Sequence, residues 1–454
     1  MQSVRSFGQR TFASLSVRNY RLFFIGQGIS QCGSWMQSIA QGLLVLELTG
    51  SGTALGLVIA LQNLPVLFFG PWGGVMADRF PKRTILYVTQ ALSGLLALTV
   101  GMLVITDLVQ LWMLYVLGLM LGFITVFDNP ARQTFVREMV GNERLTNAVS
   151  LSSMEFNLAR VIGPSIAGIL AATVGLGACF IADGLSYIAV LTVLVMMRAD
   201  ELRPAVRVAS GKGQLMNGLR YVRTQPVLLN TLIMMAIVGM FTYEFSVMLP
   251  LFAEFTFDSG PGAYASMTAA MGAGAVVGGL FAASRRRSTL GMSVAAGALF
   301  GASVMLTALM PTLHLAVLSL LVVGFFSITF TSLANVTLQL SSAPDMQGRV
   351  MSLWSMAFLG TTPIGGPVMG TIGEEAGARW ALAIGGFAAI VAAGIGFRAW
   401  LEARRREVAE ERSELTVASG GLRERKMENG KPKTKDERPK TPLETRNEKL
   451  ETPS

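Results

Sequence analysis

Gly74-Val75-Met76-Ala77-Asp78-Arg79-Phe80-Pro81-Lys82-Arg83 separates two apolar runs, each long enough to cross a bilayer. Ionisable residues are expensive in hydrocarbon, so Asp78, Arg79, Lys82 and Arg83 place this stretch in a short loop at a membrane surface, where glycines such as Gly74 let helices approach closely. Working outward, roughly twelve runs of about 20 apolar residues can be read. They centre near Gly33, Leu64, Leu95, Leu117, Val161, Tyr187, Met240, Ala273, Leu299, Val322, Phe358 and Ala389. Composition agrees: 52% of residues are hydrophobic and 14% charged, where a soluble domain carries about 25% charged. The expected fold class is an all-α membrane protein with twelve transmembrane helices in two pseudo-symmetric six-helix bundles.

The division into bundles rests on an internal echo. Asn129 is followed by Arg144 and Gly163-Pro164, and Asn335 by Pro344-Asp345, Arg349 and Gly366-Pro367, an offset of about 200 residues that suits parallel repeats. The expected domains are therefore 1–198 and 226–403. A polar, basic linker, 199–225, joins them and carries a short amphipathic helix around Gly218–Arg223. The tail 404–454 mixes Lys, Arg, Glu, Pro and Thr without apolar periodicity and is expected to be disordered.

Lys and Arg collect on the cytoplasmic side of membrane helices. Basic residues recur before the first run (Arg18, Arg21), in the Asp78 loop, at Arg132 to Arg144, at Arg203 to Arg223, at Arg285 to Arg287, at Arg349 and at Arg404 to Arg406, whereas the alternate loops carry Glu47, Asp107, Glu254, Asp258, Glu374 and Glu375. Both termini are thus expected in the cytoplasm. The net charge of +9 follows from this placement and does not point to nucleic acid. Cys32 and Cys179 fall within spans and support neither a disulfide framework nor a metal site. The first run is too long and polar for a cleaved signal peptide. The 25 methionines are scattered, no Walker loop or Ser/His/Asp set is present, and no enzyme or cofactor is indicated.

The Asp78 loop resembles the segment between helices two and three of the major facilitator superfamily, with Pro81 where that family usually has Gly. Asp128-Asn129-Pro130-Ala131-Arg132, Asn157-Leu158-Ala159-Arg160 before Gly163-Pro164, and Pro344-Asp345 with Gly348-Arg349 resemble its bacterial exporter branch, which includes the enterobactin exporter and macrolide efflux pumps. Gly163 to Gly168 is similar to the helix-five motif associated with antiport, without its upstream glycines. Gly118 stands near the place where many drug antiporters have an Arg. The resemblance implies a monomeric, multi-pass transporter of the bacterial inner membrane, working by alternating access without a cofactor.

Candidate site residues follow from polarity inside the spans. Gln27, Gln31, Ser34, Ser38 and Gln41 share one face of the first helix; such a stripe suits a water-lined cavity, and interhelical hydrogen bonding uses the same residue types. Trp35 beside it could stack on a substrate ring or simply pack. Arg160 would cost about 2.5 to 3.5 kcal/mol at the bilayer centre if it faced lipid, so it should face the bundle with a partner, for which Glu155, Asp128 and Asp183 are candidates. Glu244, beside Tyr243, shares its span with no basic residue, and desolvation favours the neutral form of such an acid, as a proton carrier requires. Asp128 with Arg132 also reads as a structural i,i+4 pair, and Asp183 could simply bond Ser186. In the loop, Gly74, Asp78, Arg79 and Arg83 are candidate gating residues together with Gly163 and Pro164, whereas Lys82 is assigned to topology alone.

The expected function is secondary export of small amphipathic molecules, drug-like compounds or siderophores, in exchange for protons. The alternatives are an uptake symporter or lysolipid translocator of the same fold, or a receptor or scaffold that moves nothing. The expected partners are a small-molecule substrate, protons and membrane lipid. Tags inserted beside Asp258 and Glu374 should be reached only from outside the cell and tags at either terminus only from inside; impermeant labelling checks this, and a terminus labelled from outside would overturn the topology.

Overall fold

In hydrocarbon a chain must satisfy its own backbone hydrogen bonds, and a single apolar run does so as a helix. The computed structural model of the protein describes residues 13–203, 214–284, 289–343 and 346–429. Its first six long helices are α1 (Arg18–Thr49), α2 (Gly52–Arg79), α3 (Lys82–Ile105), α4 (Leu111–Gly141), α5 (Glu143–Thr173) and α6 (Leu176–Met196). A linker helix, Gln214–Thr224, precedes the second set. There α7 consists of Pro226–Phe241 and Phe245–Leu251, closed by a π-helical turn Phe252–Thr256. It is followed by α8 (Pro261–Ser284), α9 (Leu290–Ala308), α10 (Leu313–Ser341), α11 (Gln347–Leu359 and Thr362–Glu375) and α12 (Ala378–Asn429). No strand occurs among the described residues.

Among the described residues, ten helices, α2 to α10 and α12, are long and apolar enough to cross a membrane. The other two differ for legible reasons. The 32 residues of α1 have the reach but carry the polar stripe, and they pack against α5 and α6. In α11 the break at Gly360-Thr361 precedes Pro363, which has no N–H to continue the first segment; the second segment packs along α2 and α7. Gly141, with φ +71°, makes the corner between α4 and α5, a conformation that a side chain resists.

One expectation changes. Helix α12 continues through Asn429, where the tail from 404 was expected to be disordered; the Glu/Arg-rich run from Glu402 to Arg412 has high helix propensity in its favour. Residues 430–454 lie outside the described residues, as do Arg285 to Arg287 and Pro344-Asp345. The linker helix packs on the first segment of α11, with the Ala343 N–H donating to the Tyr221 hydroxyl at 3.0 Å.

The halves meet along two seams, α2 with α11 and α5 with α8. At the first seam, Gly52 and Gly56 face Gly370 and Gly366 so closely that a Cβ at Gly52 would stand 2.6 Å from the Gly370 carbonyl oxygen, and one at Gly56 would collide with that of Gly366. At the second, a Cβ on Gly168 would be 2.7 Å from that of Ala265. Towards the other end of α2 the contact thins: Gly360 still reaches Leu67, but side chains at Gly70 or Gly74 would meet open space. Along α2 and α11 the halves are thus in closest contact at the end bearing Gly50 and Glu374, and the contact thins toward the Asp78 loop. Gly56→Leu should force the seam open and raise maleimide labelling of a cysteine placed at Thr371, whereas Gly70→Leu should leave labelling unchanged. Equal labelling in both would contradict this packing.

Candidate functional site

Two of the cavities among the described residues are lined by polar or charged candidates. One, of about 330 Å³, is enclosed mainly by α1 to α4 and α6 and is lined by Ser34, Ser38, Gln41, Gln62, Asn63, Gln90, Ser93, Asp128, Arg132 and Tyr187. Here α4 supplies an ion pair between Asp128 and Arg132, one turn apart. The same carboxylate accepts from Thr89 Oγ1 at 2.7 Å and Gln90 Nε2 at 2.8 Å. Asp128 is therefore fully engaged within the first half. Removing it would leave a deep guanidinium unpaired, a cost of about 3 to 5 kcal/mol.

The second cavity, of about 680 Å³, lies between the halves. Trp35, Phe156 and Arg160 border it from α1 and α5, and Tyr243, Phe245, Tyr264, Thr268, Thr331, Asn335, Trp354 and Phe358 from the second half. Arg160 was expected to have a carboxylate partner; instead its guanidinium carbon lies 5.5 Å from the centroid of the Trp35 ring. Its Nε has no hydrogen-bond partner, and among the described residues none of the ion pairs involves it. A cation on an aromatic face gains about 0.5 to 2 kcal/mol, less than the burial of the charge costs. Tyr243 is fixed by a hydrogen bond from its hydroxyl to the Ser327 carbonyl, 2.8 Å.

The remaining sequence candidates are dispersed. Glu155, Asp183 and Glu244 are 8%, 0% and 2% exposed and border neither cavity. The Ser186 hydroxyl donates to the Asp183 main-chain carbonyl at 2.7 Å, and the Asp183 carboxyl lies beside Gly33 and Ser186. Glu244 follows the interruption in α7, where Thr242 Oγ1 donates to the Gly385 carbonyl at 2.7 Å. Its unpartnered Oε1 would be 2.9 Å from a Cβ on Gly365, so it lies directly behind the Gly56–Gly366 contact. Of the α1 stripe, Ser34, Ser38 and Gln41 reach the first cavity and Trp35 the second; Gln27 and Gln31 border neither.

The Asp78 loop mostly binds its own half. Lys82, assigned to topology alone, forms a 3.0 Å salt bridge to Glu138 with both side chains nearly buried. Arg83 Nε donates to the Leu194 carbonyl at 2.8 Å, capping the C-terminal end of α6. Arg79 is exposed, and the Asp78 side chain lies outside the described residues. Gly163 admits Trp35 and Cys32 of α1, so together with Pro164 it marks the α1–α5 crossing.

Sequence reasoning missed Gln62, Asn63, Gln90 and Ser93, although polar residues interrupting apolar runs signal them, and missed the contact at the closed end. There the Glu374 carboxylate accepts from the Thr53 N–H at 3.0 Å, Thr53 Oγ1 at 2.8 Å and Ser51 Oγ at 2.7 Å. It thereby joins the end of α11 to the positive N-terminus of α2. The Thr53 backbone bond, and then the Ser51 and Thr53 hydroxyl bonds, hold its carboxyl below the ordinary range.

Residues 9–419 match the sequence profile of the transmembrane secretion effector family of the major facilitator superfamily. The chain belongs to this family of transporters. It is 26% identical to the multidrug efflux pump Tap of Mycolicibacterium fortuitum, over 76% of this chain and 87% of that one. It is 27% identical to the enterobactin exporter EntS of Shigella flexneri, over 78% and 85%. In fold it matches a bacterial homolog of the human lysosomal transporter Spinster, in an inward-facing and unoccupied conformation, with a TM-score of 0.69, 12% identity and coverage of 84% and 96%. This is therefore a multi-pass membrane transporter, not an enzyme.

Glu374→Gln should weaken the closed end by about 0.3 to 1 kcal/mol, roughly two- to fivefold in the closed-to-open ratio, as read by labelling of a cysteine at Thr371. Because the carboxyl is held below its ordinary value, its contribution is complete above about pH 4.3 and is lost as pH falls through the lower folded value. Labelling of the otherwise wild-type protein should therefore be flat from pH 7 to 5 and rise only in stronger acid; a rise near neutrality would assign closure to another group.

Proposed function

We propose that the transporter exports small amphipathic molecules across the bacterial inner membrane by proton antiport, with both termini in the cytoplasm and the monomer as the working unit. The observation that carries this reading is the position of Glu244: an acid without a cation, adjacent in sequence to the cavity-lining Tyr243 and pressed against the glycines of the α2–α11 seam. A neutral carboxyl can be buried where an unpaired carboxylate cannot. Loading and release of its proton would therefore favour different packings behind the seam, which is how an ion gradient drives alternating access. If the basic loops lie in the cytoplasm, as the charge rule expects, the end bearing the Asp78 loop is the one from which an exporter loads. Tap and EntS, exporters by name, support the direction of transport. Asp78 remains a proposed element of the cytoplasmic gate; Glu155 and Asp183 are secondary candidates for carrying the proton, and Asp128, saturated by its pair, is the weakest.

In proteoliposomes, Glu244→Gln should abolish export driven by a pH gradient yet preserve substrate exchange at 30% or more of wild type, roughly within 1 kcal/mol of it. Exchange needs the conformational change but no net proton movement. Gradient-driven export at the wild-type rate would exclude Glu244 as carrier, and loss of both activities would reduce it to a structural role.

A further inference from the structure

We propose that the cavity between the halves is a site for an organic anion bearing an apolar ring, with Arg160 as its charge partner and Trp35 as its stacking surface. The inference rests on the export reading above only for direction; the binding chemistry stands by itself. Two arginines border the cavities, and their surroundings differ. Arg132 is neutralised by Asp128, whose carboxylate is further engaged by Thr89 and Gln90. Arg160 has no such complement among the described residues: its Nε is unpartnered and its guanidinium carbon lies 5.5 Å from the centroid of the Trp35 ring. A guanidinium deep in a bundle without a counter-ion attracts one from the mobile species that reach it, and its planar fork suits a carboxylate, sulfonate or phenolate. A permanent cation also disfavours a cationic ligand in the same low-dielectric space.

The rest of the wall selects the body of the ligand. Tyr243, Tyr264, Trp354 and Phe358 line the same cavity as Arg160, and rings of this kind favour flat apolar groups by stacking and edge contact. The volume of about 680 Å³ lies within the range of small-molecule sites. Because Arg160 belongs to the first half and Tyr243, Trp354 and Phe358 to the second, a bound anion with a ring would touch both halves. Its binding would therefore depend on how they are arranged, as a transported ligand requires.

The test uses the full-length transporter in nanodiscs and three probes of one shape: 2-naphthoate, its uncharged amide 2-naphthamide, and 2-naphthylmethylammonium. Quenching of tryptophan fluorescence should show naphthoate binding at least tenfold more tightly than the amide, with the ammonium weakest. Arg160→Gln should remove the difference between naphthoate and amide, Arg160→Lys should retain part of it, and Trp35→Ala should weaken both ligands to a similar degree. If Arg160→Gln does not fold, the wild-type order across the three probes still decides. A preference for amide or ammonium, or a naphthoate preference surviving in Arg160→Gln, would overturn the proposal. Flux in proteoliposomes separates this from the export reading. Preferential binding of naphthoate without transport would reject export and leave the anion site standing, whereas export of neutral or cationic probes undiminished in Arg160→Gln would do the reverse.

Discussion

A formal charge inside a membrane bundle is tolerated only with a partner, and the distribution of partners organises this protein. Where charges are matched, they are matched within one half: Asp128 with Arg132 on α4, supported from α3, and Lys82 of α3 with Glu138 of α4. Such pairs fix helices whose relation need not change. Two of the unmatched groups lie where the halves meet: Arg160 borders the space between them, and Glu244 sits behind the contact that closes them. Among the described residues Asp183 and Glu155 lack an ion-pair partner within the first half as well, so a missing counter-charge alone does not mark a moving part. A group that must exchange partners during a transport cycle cannot keep a permanent one, and it is their position at the junction that makes Arg160 and Glu244 the proposed moving groups.

The closing contact is itself unusual in its chemistry. Gly52 and Gly56 meet Gly370 and Gly366 backbone to backbone, a contact made mainly of dispersion and weak polar forces that decay within an ångström or so of separation. A seam of this kind is either shut or parted, with little between. Glu374 adds a charged hydrogen-bonded clasp at the rim, where water is present and the cost of exposing a carboxylate is small. The seam can therefore open without stranding a charge in hydrocarbon.

Much of the architecture was legible because apolar run length and basic-loop alternation are direct consequences of the bilayer. The polar stripe on α1 was legible too, but only its C-terminal part, Ser34 to Gln41, reaches the first cavity; the 32-residue helix extends beyond the cavity, and Gln27 and Gln31 lie past its edge. The buried position of Arg160 could be read, its partner could not. A cation resting on Trp35 leaves no ionic complement in the sequence, and the acids nominated for it were already engaged or directed elsewhere. Tyr264, Trp354 and Phe358 were invisible as site residues because an aromatic in a transmembrane run looks the same whether it faces lipid, protein or cavity. The glycines of the seam are spaced four apart in each helix, a readable packing signal, yet which two helices pair is decided only in three dimensions.

The interruption of α7 links the two unmatched charges without direct contact between them. Tyr243 borders the cavity that contains Arg160, and the next residue, Glu244, touches α11 behind the seam. Substrate and proton then need not share a binding site or compete for one charge. If Arg160 binds the anion and Glu244 carries the proton as proposed, each need only bind with different affinity to the shut and parted arrangements, and linkage would make the coupling reciprocal: the factor by which the anion alters proton affinity at Glu244 equals the factor by which the proton alters anion affinity. The coupling energy is then limited by the difference between two packings of glycine against glycine. This is why bulk added at the seam should disturb energy coupling although no seam residue touches either ligand.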